Sequence, residues 1–360
     1  MKEFFPMIEL EGSAYERGLQ HGKALAGQIR ANLTLYFDMV NGLTGMDPDL
    51  CLRHAGKFQE AINSTAPEML EEMQGIAKGA GVSLDEILFL NARTELMSMR
   101  PLGAAQNGEC TAIGLTGERT LNGHPIIAQN WDWHERACAT SAVFLLEPAD
   151  APRAVFLAEA GQVGKIGFNQ YGVGVTLNIL MTGEMGYGLP VHVLLRMVLG
   201  ARDASEAVSL IEDSPRGGTS HFLIGDCGGY LKGMELTPNE VAELAPENGA
   251  VLHTNHYCDA ALAEKDIGRL LMTDTTARFD RAVSLLAGRK RWDVQSLFEL
   301  FTDHDNHPAS ICRHVNKSDP VFLHMMTVAS IIIDLAAKKM FVSHGQPCKA
   351  VYQEVALEWG

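Results

Sequence analysis

The chain has no cysteine pair at metal-ribbon or redox spacing, no basic cluster, no low-complexity linker, no internal repeat and no apolar run long enough to cross a bilayer. Each absence removes a class of protein. The seven cysteines, Cys51, Cys110, Cys138, Cys227, Cys258, Cys312 and Cys348, are odd in number and widely spaced. That pattern argues against a disulfide framework or a zinc ribbon and for reduced thiols. Acidic residues outnumber basic ones by 44 to 29, giving a net charge of −15. Nucleic acid and anionic membranes are therefore not expected as partners, since both require clustered Lys and Arg. Met1-Lys2-Glu3-Phe4-Phe5-Pro6 has no uninterrupted apolar stretch, so neither secretion nor membrane insertion is expected and a cytoplasmic location is. What is present is an ordinary globular composition. With 360 residues, 46% hydrophobic and 20% charged, the chain can bury a large core as one domain or two packed layers.

The patterning changes near residue 100. Before it, helix signals dominate: Ser13-Ala-Tyr-Glu16 and Ser83-Leu-Asp-Glu86 are capping boxes, and Pro67 suits a first helical turn. Leu70, Met73, Ile76 and Ala77 recur at helical spacing, which predicts one buried face over about Glu68 to Lys78, ended by Gly79 or Gly81. After Cys110, short β-like runs alternate with Gly-containing turns at 111–115, 124–128, 142–146, 154–158, 165–168 and 173–177. A helical pair is expected over 191–199 and 204–211, strands at 221–224 and 230–236, helices near 275–286 and 294–301, and a last hairpin of 328–334 with 340–344. Antiparallel strands with helices grouped between them predict an α+β layered fold rather than a doubly wound sheet.

One stretch carries most of the chemistry. Asn107-Gly108-Glu109-Cys110-Thr111 places a thiol where a polar loop gives way to an apolar strand, a setting for an exposed nucleophile rather than a packed cysteine. If 110–115 and 125–130 pair as a hairpin centred near Arg119 to Leu121, Cys110 lies opposite about residues 128 to 132. The thiol then shares a strand end with Gln129-Asn130-Trp131-Asp132. Trp131 and Trp133 read as core or pocket-wall aromatics, and Asp132 as a functional carboxylate or a cap. Asn255, between two histidines, is a candidate donor to an oxyanion as well as a candidate turn residue.

Other constellations are weaker. Gly161-Gln-Val-Gly164-Lys-Ile-Gly167 has the glycines of a phosphate loop but lacks its GK[ST] ending and a following helix. His253-Thr-Asn-His256 and His304-Asp-Asn-His307 have spacings that suit a metal, but HxxH on a strand sends its rings to opposite faces and neither matches HExxH. No metal is expected.

Taken together, these residues resemble the acyl-coenzyme A:6-aminopenicillanic acid acyltransferase family, self-processing cysteine enzymes also grouped as peptidase family C45 among the N-terminal nucleophile hydrolases. The likeness runs through Tyr15-Glu16, His21-Gly22, Gly75-Ile-Ala-Lys-Gly79, Leu90-Asn-Ala-Arg-Thr-Glu95 and Cys110-Thr111. It continues through Gln129 to Asp132, Glu159-Ala-Gly161, Gly164-Lys-Ile-Gly-Phe-Asn169, His253 to His256, Asp305-Asn306 and Ser310-Ile-Cys-Arg313. The order and spacing of these strings are specific where any single one is weak.

The resemblance implies an αββα four-layer sandwich and a precursor that cuts its own Glu109–Cys110 bond. A mostly helical 1–109 α subunit then stays bound to a β-rich 110–360 β subunit as one compact domain, an α/β heterodimer open to higher oligomers. Cleavage exposes an α-amino group on Cys110 with an intrinsic pKa of about 8, so nucleophile and base belong to one residue. By the same matching Asp132 orients that amine, Asn255 and the Ala112 backbone N–H receive the oxyanion, and Trp131 and His324 border the substrate. The substrate is expected to be a small N-acyl amide with an apolar acyl group, with hydrolysis slightly favoured over transfer. No cofactor is needed, although acyl-CoA is a possible co-substrate. Two departures stand out: the penicillin-forming member has Gly where this chain has Glu109, and its catalytic arginine falls at about His324. Two other readings remain open, a metallohydrolase using His253, His256 and His304 or His307, and an uncut binding homologue without chemistry.

Overall fold

Both capping boxes form: the Ser13 and Ser83 hydroxyls accept the Glu16 and Glu86 N–H groups, while the glutamates accept the serine N–H groups at 2.9 and 2.7 Å. The structure, a computed structural model, describes residues 4–99, 110–149 and 151–357, so Glu109 lies outside the described residues. A first strand, β1 (Met7–Gly12), precedes helices α1 (Ala14–Ala24), α2 (Ala26–Thr44), α3 (Pro48–Gly56), α4 (Gln59–Thr65), α5 (Pro67–Ala80) and α6 (Leu84–Ser98). The expected helix over 68–78 is α5, with Pro67 in its first turn and Gly81 closing it in the left-handed conformation.

Glycine sets how α1 and α5 meet. A Cβ on Gly18 would sit 2.0 Å from the Glu72 carbonyl oxygen, and one on Gly75 would sit 2.2 Å from that of Tyr15. Only the missing side chains let the two backbones touch. Across this contact Glu72, buried, accepts from Arg17 of α1 at 3.3 Å and from Arg196 at 3.0 Å.

Beyond Cys110 come strands β2 (Thr111–Leu115), β3 (Ile126–His134), β4 (Ser141–Pro148), β5 (Ala154–Glu159), β6 (Ile166–Asn169) and β7 (Gly174–Ile179), with a short helix α7 (Ala137–Thr140) after β3. Helices α8 (Val191–Gly200) and α9 (Ala204–Asp213) lead to β8 (Ser220–Gly225), β9 (Leu231–Leu236), β10 (Val241–Leu244) and β11 (Ala250–His253). Then follow α10 (Ala260–Ala263), α11 (Gly268–Leu271), α12 (Thr275–Ala287), α13 (Val294–Phe301), β12 (Met325–Asp334), β13 (Lys339–Ser343) and β14 (Tyr352–Ala356).

One sheet has the order β1-β4-β5-β6-β7-β8-β9-β10 and the other β11-β2-β3-β12-β13-β14. The sheets pack face to face through β2 and β3 against β7 and β8. Helices α8 and α9 cover the outer face of the first sheet, with α6 packed on α8. Helices α12 and α13 cover the second, where Leu286, Leu297 and Phe301 meet Ile113, Ile126 and Ala128. This is the αββα sandwich, an α+β fold in four layers. Pairing is antiparallel except that β1 runs parallel to β4, from Met7 opposite Val143 to Gly12 opposite Pro148. The sequence pattern passes over β1 because Leu10 alone of its residues is buried.

Polar side chains stitch the helices of 4–99 to the sheets. Asn91 donates to the Gly161 carbonyl and accepts the Val163 N–H, Asn32 donates to the Ala160 carbonyl, and His21 accepts the Gly161 N–H, all at 2.9–3.0 Å. The segment 161–169, with its phosphate-loop glycines, is buried throughout. A Cβ on Gly167 would lie 2.1 Å from the Val155 carbonyl oxygen, so these glycines serve packing.

Gly75→Ala is expected to destabilise the protein by about 1–3 kcal/mol through forced separation of α1 and α5, measured as a lower urea midpoint at unchanged m-value. An unchanged midpoint would remove the close-approach argument.

Candidate active site

Thr111 pairs with Asn130 and Leu115 with Ile126, so the constant index sum sets Cys110 opposite Trp131, as the expected hairpin requires. The thiol is buried rather than exposed, with Cys110 at 4%. It shares a narrow cavity with Trp131, Trp133, Leu177 and Ile179, residues of β3 and β7. The position at a strand start is legible in the sequence. Trp131 and Trp133 follow from the same hairpin as wall aromatics, whereas Leu177 and Ile179 are not legible, because β7 meets β2 and β3 only in the fold.

Arg278, on α12, organises the strand start. Its guanidinium is fully buried and donates to the Cys110 carbonyl at 2.8 Å, the Thr111 hydroxyl at 3.1 Å, Asn255 Oδ1 at 3.0 Å and Asp274 Oδ2 at 2.7 Å. Asn178 of β7 donates to the same Cys110 carbonyl at 3.2 Å. Nothing in the sequence marks Arg278, one basic residue in an amphipathic helix.

Asp132 lies on the other face of β3 from Trp131, by the alternation of strand side chains. Its Oδ1 accepts the Thr327 hydroxyl at 2.6 Å, and Oδ2 stands 3.4 Å from Arg313 Nε with no hydrogen-bond partner among the described residues. Arg313 also binds Asp274. A relay of alternating charge therefore runs from the Cys110 carbonyl through Arg278, Asp274 and Arg313 to Asp132. Burial raises the Asp132 carboxyl to about 7, against the pull of Arg313 and Arg278 downward.

Asn255 is buried; its Nδ2 donates to the Ile179 carbonyl at 3.0 Å while its Oδ1 is held by Arg278. An amide nitrogen carries two hydrogens, and Ile179 takes one. Ala112 is paired on both sides, with Gln129 and with His253. Any oxyanion role for its N–H would be played from inside the sheet.

His324 does not join this group. It precedes β12, 3.4 Å from Glu135 and 3.1 Å from the Asp319 carbonyl oxygen, and is not among the residues lining the Cys110 cavity. Two other arginines stand at the site: Arg313 faces Asp132, and Arg278 donates to the Cys110 carbonyl. The segment that carries Arg313 folds back over β3, where its N–H donates to the Thr327 hydroxyl.

The cavity also holds positive charge that the sequence does not reveal as a cluster. Arg93 of α6 and Lys165 both reach Glu159, at 2.5 and 2.9 Å, and Tyr36 and Gln162 bond the same carboxylate. Lys165 Nζ lies 3.3 Å from the Trp131 ring centre, and the Arg93 guanidinium lies 4.7 Å from that of Trp133. Burial lowers the Lys165 ammonium to about 8, with Glu159 and Cys110 acting to raise it.

The histidines of the two HxxH strings do not converge. His253 bonds Glu235 at 2.7 Å and stacks on His221 at 3.6 Å, while His256 meets the Thr254 and Thr275 hydroxyls. Burial works against the His253 cation, but hydrogen bonds with Cys258 and Glu235 prevail and raise it to about 9. His304 meets His314 in a separate cluster.

Against known proteins, the family described as acyl-coenzyme A:6-aminopenicillanic acid acyl-transferase matches residues 119–349. A protein of Emericella nidulans, the 40 kDa form of acyl-coenzyme A:6-aminopenicillanic-acid-acyltransferase, is 29% identical over 343 residues, covering 94% of this chain and 92% of that one. Penicillin V acylase of Agrobacterium tumefaciens superposes with a TM-score of 0.48 at 16% identity, over 69% of this chain and 86% of that one. An N-acylethanolamine-hydrolyzing acid amidase ortholog of Caenorhabditis elegans does so with a TM-score of 0.46 at 17% identity, over 63% and 93%. Among the described residues, no helix is long and apolar enough to cross a membrane.

The raised Asp132 carboxyl has a signed consequence. Its folded-state value, about 7, exceeds the ordinary aspartate value of 3.8, so the folded state binds the proton more tightly and stability falls as pH rises between those values. Asp132→Asn should abolish this fall. Relative to wild type, the variant should gain up to about 4 kcal/mol between pH 4 and pH 8, read from urea midpoints at the two pH values. A constant difference would show that the carboxyl titrates normally.

Proposed function

We propose, from the premise that the chain belongs to the acyl-coenzyme A:6-aminopenicillanic acid acyl-transferase family, that Cys110 is the nucleophile of a self-processing amidohydrolase or acyltransferase. The observation that carries this reading is the Arg278 guanidinium, which holds the Cys110 carbonyl and Asn255 Oδ1 together at 2.8 and 3.0 Å. A packed structural cysteine has no use for such a clamp on its own backbone.

The chemistry starts with activation. The Cys110 sulfur attacks the Glu109 carbonyl carbon, the C–N bond to Cys110 breaks as its nitrogen takes a proton, and the resulting thioester is hydrolysed by water. The chain becomes a 1–109 α subunit and a 110–360 β subunit held as one αβ unit. The freed α-amine then serves as base. Asp132 has the charge and the unpartnered oxygen to receive the ammonium form, which in turn favours the ionised carboxylate.

In turnover the amine takes the Cys110 proton and the thiolate attacks the carbonyl carbon of a small N-acyl amide. Lys165 and Arg93 favour the negative sulfur. Asn255 Nδ2 offers its second hydrogen to the tetrahedral oxyanion, and the Ala112 N–H is a further donor implied by the family. Loss of one such donor typically costs on the order of a hundredfold in rate. Collapse expels the amine, which takes a proton, and leaves the acyl group on Cys110 as a thioester. Water resolves it to the acid, or a second amine resolves it to a new amide.

We favour hydrolysis. The glycine segment with phosphate-loop spacing is buried against β5, and the acyl side of the cavity is apolar, formed by Trp131, Trp133, Leu177 and Ile179. Acyl-CoA remains the donor under the transfer reading. No bound cofactor is required, and location in the cytoplasm and association beyond the αβ unit belong to the same proposal.

Intact mass under denaturing conditions tests activation: wild type should give two fragments, 1–109 and 110–360, and Cys110→Ala a single chain. A stable full-length wild-type protein would sink self-processing. A panel of N-acyl amides, with and without acceptor amine, then separates acid from amide product. Asn255→Ala should lower kcat on the order of a hundredfold while leaving the processed protein folded. Full activity in Asn255→Ala or in processed Cys110→Ser would remove the assigned roles.

A further inference from the structure

A second group of reactive side chains lies away from the Cys110 cavity. His304, Cys312 and His314 come from the segment after α13, and Cys348 from the segment joining β13 to β14. One ligand atom of each, two imidazole nitrogens and two sulfurs, lies within 4.8 Å of all the others. Cys312 is buried, His314 is half-buried, and His304 and Cys348 reach the surface.

Three of the four donors converge on one atom. His314 Nε2 is 3.0 Å from His304 Nε2, 3.5 Å from Cys348 Sγ and 3.8 Å from Cys312 Sγ. A ring nitrogen has one proton or one lone pair, never both, so hydrogen bonding alone cannot satisfy three neighbours there. A cation that takes a lone pair from each donor can. Zinc binds sulfur at roughly 2.3 Å and imidazole nitrogen at roughly 2.0–2.1 Å, so a tetrahedral site has donor–donor edges of roughly 3.3–3.8 Å. The three distances above lie on or close to those edges.

We propose that His304, Cys312, His314 and Cys348 form a Cys2His2 site for a structural zinc ion. Four protein ligands close the coordination shell, so the ion has no open position for substrate or water and its role is to hold chain together. It ties the C-terminal hairpin loop to the segment that carries Arg313, the residue next to Cys312 and the partner of Asp132. The set escapes a search for metal motifs because the ligands are two residues, eight residues and a whole hairpin apart. The group formed by Glu235, His253 and Cys258 is different. Its carboxylate already accepts from the Cys258 and Asp259 N–H groups and from His253, which leaves a satisfied ion pair.

The site does not depend on the reaction at Cys110, and its test does not use activity. Full-length protein, reduced and stripped with chelator, is titrated with zinc chloride, desalted and assayed for metal by mass spectrometry. About one zinc per chain is expected, with a higher Tm, and cobalt should give thiolate charge-transfer bands with tetrahedral d–d absorption. Cys348→Ser and His304→Ala, both at surface positions, should each weaken zinc binding roughly tenfold or more. Cys258→Ser, in the other group, should leave it unchanged. Zinc-free protein after desalting, a cobalt spectrum without thiolate bands, or full affinity in both ligand variants overturns the site. So does a Cys312–Cys348 disulfide detected by non-reducing peptide mass in the zinc-treated protein.

Discussion

A buried guanidinium must find acceptors for its N–H groups or lose its hydration without compensation, and Arg278 finds them in four residues from three parts of the chain. The Cys110 carbonyl and Thr111 stand at the start of β2, Asn255 follows β11, and Asp274 precedes α12. The outer helix layer, the sheet edge and the candidate nucleophile are thereby fixed to one rigid fork. Lysine could not replace it, because a single ammonium lacks the planar geometry to face these acceptors at once.

Charge around the cavity is arranged before any substrate arrives. Glu159 receives Arg93, Lys165, Tyr36 and Gln162, so two cations share one carboxylate beside the cavity that Cys110 lines. On the opposite face of β3, Asp132 is held where burial resists its ionisation. Such carboxyls cost stability, and they concentrate at sites where a charge is to arrive later. The two faces of one strand thus divide the work, the sulfur side lined by aromatics and cations and the carboxylate side by the Arg313–Asp274 relay.

The layered fold was legible because it rests on local signals. Hydroxyl and carboxylate at capping-box spacing marked the starts of α1 and α6, and short apolar runs between turn residues marked β2, β5 and β8. The hairpin register followed from the turn residues between β2 and β3, which set Cys110 against Trp131. What stayed hidden depends on distance in sequence. Arg278 and Lys165 have no local mark of their own, and Arg313 reaches Asp132 only because the segment before β12 folds back. Strings such as Leu90 to Glu95 and Glu159 to Gly161 were recognisable as fragments, but their meaning is mutual: Arg93 binds Glu159, and Asn91 binds Gly161.

The parallel pairing of β1 with β4 bears on the molecularity of folding. That strand enters the eight-stranded sheet from the N-terminal side of the Glu109–Cys110 bond, while its neighbour comes from the other side. With the bond intact, the pairing closes a loop within one molecule and forms by a first-order process. With it broken, the same pairing is an association between two molecules, and recovery from unfolding slows with dilution. A cut protein would then carry the memory of a folding event that it could no longer repeat as a single chain.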